Sequence, residues 1–158
     1  MCRLISVRFV GKFMELRRFQ SHHLNAVEKL YLESRLATFT WLDTVEFDLS
    51  DFDRDTEGES IWVAIESNKV VGFVSIWAPE CFIHHLFVSP RKLRGGVGLK
   101  LLDLAKQQYP SLSLKCLSQN INATEFYLSQ GFTITETVGN GAESYHLMQW
   151  KSQTIQTI

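Results

Sequence analysis

The sequence predicts a mixed α/β or α+β domain in which helices pack on a central sheet. The first observation is the order of the segments: strand, helix, three strands, helix, strand, helix and two strands. The second is periodicity, because short apolar or alternating segments predict strands, whereas helical spacing of apolar residues predicts helices. The third is size, since 158 residues are enough for one well-buried domain and few for two.

The first half of the chain supplies one helix and four strands. "MELRRF" predicts a strand from Met14, and "SHHLNAVEKLYLESR" predicts a helix with Ser21 placed as its N-terminal cap. An aromatic and acidic segment with eight carboxylates between Asp43 and Glu59 follows, and we expect part of it to be a short helix. "SIWVAIE" and "VVGFVSIW" flank "SNK" as a hairpin. "CFIHHLFV" is then the third consecutive strand, apolar on both faces as a central strand is.

The second half supplies two helices and three strands. Helical spacing predicts a helix over about 96–109, which Pro110 ends. "LSLKCLS" predicts a strand, and a second helix is expected over about 122–130, with Asn122 and Glu125 as a capping box. "FTITETV" and "SYHLMQW" predict two final strands joined by a turn that contains glycine.

Composition restricts the function classes. The formal net charge is −1, so no overall field attracts the chain to nucleic acid or to an anionic membrane. No apolar run approaches the roughly 20 residues of a membrane-spanning helix. Three distant cysteines without metal-ligand spacing suit free thiols in a reducing compartment, so we expect a cytoplasmic protein. One domain is expected over residues 14–150, with a leader or extension over 1–13 and a C-terminal tail over 151–158.

The stretch "FVSPRKLRGGVGLKLLD" concentrates glycines and cations at the start of a predicted helix. Gly95, Gly96 and Gly98 let main-chain N–H groups approach a ligand, and the helix dipole adds positive potential, so the loop suits phosphate. Four cationic side chains strengthen that potential: Arg91, Lys92, Arg94 and Lys100. From these residues alone, a solvated basic turn explains the pattern about equally well.

Two common phosphate loops are excluded by the residues that follow the glycines. A dinucleotide fingerprint requires a third glycine where Leu101 stands. A P-loop requires Lys followed by Ser or Thr directly after its last glycine, whereas Gly98 is followed by Leu99 and Lys100.

Two motifs in the second half resemble those of the GNAT superfamily of N-acetyltransferases. The "GGVG" loop is similar to the family's acetyl-CoA motif, Gln/Arg-x-x-Gly-x-Gly/Ala, with Gly96 and Gly98 as the glycines and Leu93 where Gln or Arg is usual. "NINATEFYLSQGF" is similar to a second family motif and matches it at Asn120, Ala123, Phe126, Tyr127, Gly131 and Phe132. The order of elements also matches from Met14 to Trp150. The resemblance implies a mostly antiparallel sheet of about seven strands with helices on both faces.

The resemblance also implies acetyl-CoA as cosubstrate. In the family, the central strand separates from the next strand and the pantetheine arm lies in the gap. The implied cofactor-binding residues are Leu86, Phe87 and Val88 on the strand, Leu93, Arg94, Gly95, Gly96, Val97, Gly98 and Leu99 around the diphosphate, and Asn120 and Tyr127 in the second motif.

Acetyl transfer from a thioester to an amine requires a neutral amine, a stabilised oxyanion and a protonated leaving thiol. A lysine-like amine has a pKa of about 10.4, so about one molecule in a thousand is neutral at pH 7 and a base assists. By resemblance, Tyr127 is the general acid that reaches the sulfur, and the N–H of Val88 stabilises the oxyanion. The alternative for Tyr127 is a helix aromatic packed beside Phe126.

His84 and His85 are the candidates for the base. They are adjacent on a strand and point to opposite faces, so they cannot jointly bind a metal, and no metal site is expected. His84 matches the position of a catalytic histidine in the related serotonin N-acetyltransferase motif, and a near-neutral pKa suits the task. Three alternatives stay open: a core histidine held by one hydrogen bond, His85 as the base, and a water molecule.

Residues 40–59, here called the acceptor segment, lie where the family builds the wall of its acceptor site. Phe39 and Trp41 are expected to line that wall, and carboxylates such as Asp43 and Glu46 to attract a cationic amine. The acceptor class stays open between small-molecule and protein amines. A non-catalytic acyl-CoA sensor or interaction module is the rival function, and the resemblance leaves a homodimer open.

Overall fold

The structure is a computed structural model that describes residues 13–153, so the predicted leader, apart from residue 13, and residues 154–158 of the tail lie outside it. The strands are β1 (Met14–Arg18), β2 (Ser60–Glu66), β3 (Lys69–Trp77), β4 (Phe82–Val88), β5 (Ser111–Leu117), β6 (Thr133–Val138) and β7 (Tyr145–Lys151). The α-helices are α1 (Leu24–Thr38), α2 (Asp51–Asp55), α3 (Val97–Gln108) and α4 (Ile121–Ser129).

All seven strands form one sheet in the order β1-β2-β3-β4-β5-β7-β6. Every neighbouring pair is antiparallel except β4 and β5, which are parallel. The predicted mostly antiparallel sheet of about seven strands is therefore confirmed. Within residues 13–153, no helix has both the length and the apolar character needed to cross a bilayer.

Helices cover both faces of the sheet, as predicted. A hydrophobic core lies on each face of the sheet. The adjacent residues Phe73 and Val74 of β3 are both fully buried and point to opposite faces, so each belongs to a different core. Phe73 packs with Tyr31 of α1 and Phe52 of α2. Val74 belongs to the other core, which α3 and α4 cover with residues that include Leu101 and Tyr127.

The sheet opens between β4 and β5. Only two residue pairs join these strands, Phe82 with Ser113 and Ile83 with Leu114. The last part of β4 therefore has β3 on one side and no strand on the other. A parallel pair needs a crossover connection, and α3 supplies it from the open end of this gap.

Two predicted helix caps are wrong. Ser21 does not cap α1, because a 3₁₀ turn over Ser21–His23 precedes that helix, and the side chain of His23 accepts the N–H of Gln20 at 3.0 Å. Asn122 does not cap α4 either, since Asn120 holds that place and accepts the N–H of Ala123 at 3.3 Å.

Gly72 lets α3 lie close to β3. A Cβ atom there would stand 2.9 Å from Cγ1 of Val97, 3.0 Å from the carbonyl oxygen of Phe87 and 3.1 Å from Cδ1 of Leu101. We expect Gly72→Ala to overpack this contact and to lower the free energy of unfolding by about 1–3 kcal/mol. Chemical denaturation measures the change.

Gly98→Ala is the matched control, because it is the same substitution in the first turn of α3. A Cβ atom there meets Cγ2 of Val88 at 3.6 Å, which is an ordinary contact. Alanine favours the helix over glycine by up to about 1 kcal/mol, so this variant should be at least as stable as the parent. A Gly72→Ala protein as stable as Gly98→Ala would contradict the close packing.

Candidate active site

A cavity of about 740 Å³ lies at the gap between β4 and β5. It brings together almost all of the predicted cofactor-binding residues, namely Leu86, Phe87, Val88, Leu93, Arg94, Gly96, Val97, Gly98, Leu99, Asn120 and Tyr127. Gly95 is not among the lining residues, and its N–H donates to the carbonyl oxygen of Lys92 at 3.2 Å. The volume is in the range of small-molecule sites.

Main-chain groups of β4 point into the gap. The N–H of Ser89 donates to the carbonyl oxygen of Val71 at 2.8 Å, which makes these two residues a hydrogen-bonded pair of the β3–β4 ladder. Such hydrogen-bonded pairs alternate along an antiparallel ladder, so the N–H and C=O groups of Phe87 also point at β3. The N–H and C=O groups of Leu86 and Val88 point away from β3. Their main-chain groups therefore face the side where β5 has separated, although the carbonyl oxygen of Val88 already accepts the hydroxyl hydrogen of Ser34 at 3.2 Å.

The loop before α3 presents unpaired amides. Arg94 and Gly96 have positive φ angles of 64° and 81°, which turn the chain sharply into the helix. The N–H of Lys100 donates to the carbonyl oxygen of Gly96 at 3.1 Å as the first hydrogen bond of that helix. The N–H groups of residues 97–99 therefore precede the helical ladder, and the first turn holds no acidic residue. This is the arrangement that binds anions.

The predicted cations divide into two groups. Arg91, Arg94 and Lys100 are exposed around the loop. Lys92 is turned to the β2–β3 hairpin, where its Nζ donates to Oε1 of Glu66 at 2.9 Å. Three of the four cations therefore remain to raise the potential at the loop.

Tyr127 lines the cavity and also packs in the core. Its residue exposure is 8%, and its ring centroid lies 5.3 Å from that of Phe126 and 5.4 Å from that of Phe132. Within residues 13–153, its hydroxyl has no hydrogen-bond partner. Burial, and secondarily the thiol of Cys116, raises the pKa of Tyr127, so the phenol keeps its proton at neutral pH.

The two adjacent histidines have different surroundings. His85 lies in the aromatic core beside Tyr31, and its Nε2 is 3.3 Å from the carbonyl oxygen of Asp55. Burial lowers its pKa to about 4. The side chain of His84 is 42% exposed, and burial followed by the charge of Lys115 lowers its pKa. Of the two, His84 is the one that is open to solvent, so it is not a core histidine.

Phe39 and Trp41 lie beside the strand that lines the cavity. The ring of Phe39 packs edge-on against Phe87 at 6.3 Å and against Trp41 at 5.7 Å. The indole N–H of Trp41 donates to the carbonyl oxygen of Ala142, in the turn between β6 and β7, at 3.2 Å. Two distant parts of the chain therefore meet on the α1 side of β4.

A buried ion pair that the sequence analysis did not find holds the acceptor segment against α1. Two guanidinium nitrogens of Arg35 each lie 3.1 Å from Oδ2 of Asp51, and both side chains are almost fully buried. Arg35 also donates to the carbonyl oxygen of Asp48 at 3.3 Å and lies 4.4 Å from the ring centroid of Phe47. The N–H of Asp48, and then Arg35, lower the pKa of Asp51 against the opposing effect of burial.

A second cavity of about 820 Å³ lies between α1, β1 and the β2–β3 hairpin. Its charged side chains include the ion pairs Arg17 with Glu15 and Lys29 with Glu33. Among the described residues, no group of three or more His, Cys, Asp or Glu side chains is arranged to hold a metal ion. Of the two cavities, the one at the gap brings together the unpaired amides of residues 97–99 and the hydroxyl of Tyr127. The predicted residues His84, Phe39 and Trp41 lie outside its lining.

Residues 24–132 match the model of the acetyltransferase (GNAT) family. The chain belongs to this family. A peptidyl-lysine N-acetyltransferase of Escherichia coli strain K12, YiaC, is 31% identical over 127 residues, which cover 77% of this chain and 84% of that protein. An N-acetyltransferase of Archaeoglobus fulgidus is 29% identical over 149 residues, covering 82% and 100%. The chain is thus an acyltransferase.

A solved structure agrees with the fold. The PaiA N-acetyltransferase of Thermoplasma acidophilum, in complex with coenzyme A, superposes with a TM-score of 0.72 at 18% identity, covering 88% of this chain and 99% of that one. At this identity the likeness shows the fold alone. The predicted family and fold class are therefore confirmed.

Replacing Asp51 with Asn removes the anion that pairs with Arg35. The guanidinium would stay buried without its counter-charge, so we expect the free energy of unfolding to fall by about 3–5 kcal/mol in chemical denaturation. The pKa of Asp51 in the folded state lies below its unfolded value, so the ionised carboxylate adds to the free energy of unfolding. This contribution is fully present above the unfolded pKa. It is lost as the pH falls through the folded pKa.

Asp53→Asn is the matched control, because Asp53 lies on the same short helix and is exposed. Its effect should stay within about 0.5 kcal/mol, as for most surface substitutions. Equal stability of the two variants would contradict the role given to the buried pair.

Proposed function

We propose that this chain transfers the acetyl group of acetyl-CoA to a primary amine by direct attack in a ternary complex. The observation that carries the proposal is the cavity at the gap between β4 and β5. It combines the main-chain groups of Leu86 and the N–H of Val88 with free amides of a helix start and the hydroxyl of Tyr127. These are the groups that a diphosphate, a pantetheine arm and a leaving thiol require.

The cosubstrate would be held mainly by the main chain. The amides of residues 97–99 and the helix dipole bind the diphosphate, and the exposed cations Arg94 and Lys100 add to the potential. The main-chain groups of Leu86 and the N–H of Val88 offer the pantetheine arm hydrogen bonds like those of a neighbouring strand. Leu93 contributes an apolar contact, since it is 64% exposed and lines the cavity, and the amide cradle does not depend on it.

The chemistry requires two hydrogen-bond donors at the thioester. The N–H of Val88 stabilises the oxyanion of the tetrahedral intermediate. Tyr127 donates to the leaving sulfur, whose thiol has a pKa of roughly 8.5, so little acid assistance is needed. Because burial raises the pKa of Tyr127, the hydroxyl acts in its protonated form over the whole working pH range.

The acceptor would approach from the α1 side of β4. Phe39 and Trp41 form an apolar wall there, and exposed carboxylates of the acceptor segment, including Asp43 and Glu46, attract an ammonium group. His84 is the base, directly or through one water, because it is accessible and its lowered pKa keeps it neutral at pH 7. A relative named as a peptidyl-lysine N-acetyltransferase makes lysine peptides the first class to test.

The direct test is a screen for free thiol released from acetyl-CoA, with lysine peptides, N-terminal amines, small amines and amino acids as acceptors. We expect turnover with at least one class. The acetylated amine, identified by mass spectrometry, then names the acceptor. Binding of acetyl-CoA without turnover on any class would instead assign the chain to acyl-CoA sensing.

Tyr127→Phe separates chemistry from binding. It keeps the ring that packs against Phe132 and removes only the hydroxyl. We expect kcat to fall by at most about a hundredfold, the low end for a general acid, because the thiol leaves with little assistance. The Kd for acetyl-CoA should stay nearly unchanged. Tyr109→Phe is the control, because Tyr109 lies at the far end of α3. An equal loss of kcat and of affinity would assign Tyr127 to binding alone.

A further inference from the structure

His84 occupies an irregular position in β4. Ser75 of β3 pairs with His85, and the next residue, Ile76, pairs with Ile83. His84 is therefore an extra residue of a β-bulge and has no partner in the ladder. Bulges re-aim a side chain out of the regular alternation, and they occur often beside active sites.

The bulge brings His84 to a buried carboxylate. Nδ1 of His84 contacts Oε1 of Glu59, and the side chain of Glu59 is only 2% exposed. The other carboxylate oxygen of Glu59 accepts the hydroxyl hydrogen of Ser75, a residue that is fully buried. Ser75 thus supplies a donor to one oxygen, and Nδ1 of His84 is placed to donate to the other, as an ionised carboxylate in the interior requires.

This contact selects one form of the imidazole. An ionised carboxylate can only accept hydrogen bonds, so the ring nitrogen that contacts it must carry the proton. In a neutral ring the lone pair is then on Nε2. Glu59 is too deeply buried to meet an acceptor molecule, whereas His84 is accessible.

We propose that Glu59 is a positioning residue that holds His84 with the proton on Nδ1, so that Nε2 is free to deprotonate the acceptor amine. The inference rests on the proposed function and adds the residue that prepares its base. A base with the opposite tautomer would present an N–H instead of a lone pair.

The protons balance as follows. The acceptor arrives as an ammonium ion and gives one proton to Nε2 of His84, directly or through one water. The free amine forms the C–N bond with the thioester carbonyl carbon, and the C–S bond breaks as the tetrahedral intermediate collapses. The nitrogen loses a second proton to the leaving sulfur, which Tyr127 assists, and His84 returns its proton to solvent. The products are the amide, free thiol and one released proton.

The charged and titratable groups around His84 come from three elements. Glu59 precedes β2, Lys115 lies on β5 across the gap, and His85 is the neighbour on β4. Burial, and then the charge of Lys115, lower the pKa of His84. A neighbouring carboxylate in general favours the imidazolium and so acts in the opposite direction. The base is therefore present at pH 7, and the rate that depends on it falls as the pH drops through this pKa.

The first experiment records the tautomer and the rate in separate measurements. Long-range ¹H–¹⁵N spectra, assigned with His84→Ala, should show the proton on Nδ1 of His84 in the parent chain and more of the Nε2–H form in Glu59→Ala. The kcat of Glu59→Ala should fall at least about tenfold, because the ring loses the carboxylate that fixes its tautomer. Glu80→Ala removes an exposed carboxylate in the turn between β3 and β4, outside the acceptor segment, and should change neither.

A double variant separates positioning from general damage. If Glu59 acts through His84, then Glu59→Ala combined with His84→Ala should be no slower than His84→Ala alone. Additive losses of rate would mean that Glu59 acts elsewhere, and they would overturn the proposal.

Glu59→Gln keeps the volume of the side chain and carries the test if Glu59→Ala does not fold. Loss of the negative charge should lower the pKa of His84 in an NMR titration and move the acidic limb of the pH–rate profile to lower pH. An unchanged pKa together with an unchanged rate would overturn the proposal. If the parent chain acetylates no amine, the proposed function fails, whereas an Nε2–H ring in the parent chain refutes the positioning by Glu59 alone.

Discussion

The separation of β4 from β5 after two residue pairs is the constraint on which the rest of the site depends. If the parallel ladder continued, β5 would satisfy the main-chain groups of Leu86 and Val88, and no cavity would form. The crossover helix α3 begins at the open end of the gap, and Gly72 lets it pack closely on β3. One space therefore receives the main-chain groups of Leu86, the N–H of Val88 and the free amides of the helix start. Neither element would create this space alone.

The two ends of the central strand β4 have different roles, because its pairing with β3 is regular near its end and interrupted by a bulge near its start. Near its end, Leu86 and Val88 direct their main-chain groups into the gap. Near its start, the bulge turns His84 to the buried carboxylate of Glu59. In the proposed reaction the cosubstrate and the acceptor thus meet along one strand, and the buried pair of Arg35 and Asp51 keeps the acceptor segment against α1.

The sequence predicted the features that depend on local pattern. Strand periodicity, the glycine loop and the motif around Tyr127 each lie within a short stretch, so the fold class and most of the cavity lining followed from them. The contacts of Arg35 with Asp51 and of Glu59 with His84 join residues far apart in the chain, and no local signal pairs them. The bulge at His84 could not be predicted either, because it arises from the register between β4 and β3 and not from a local pattern in β4.

Calorimetric titration of the purified chain with coenzyme A and with pantetheine, which lacks the diphosphate, tests the central claim most directly. If the amides at the start of α3 hold the diphosphate, coenzyme A binds, its affinity weakens as salt is raised, and pantetheine binds far more weakly. No uptake of coenzyme A, or equal affinity for both compounds, would contradict the account.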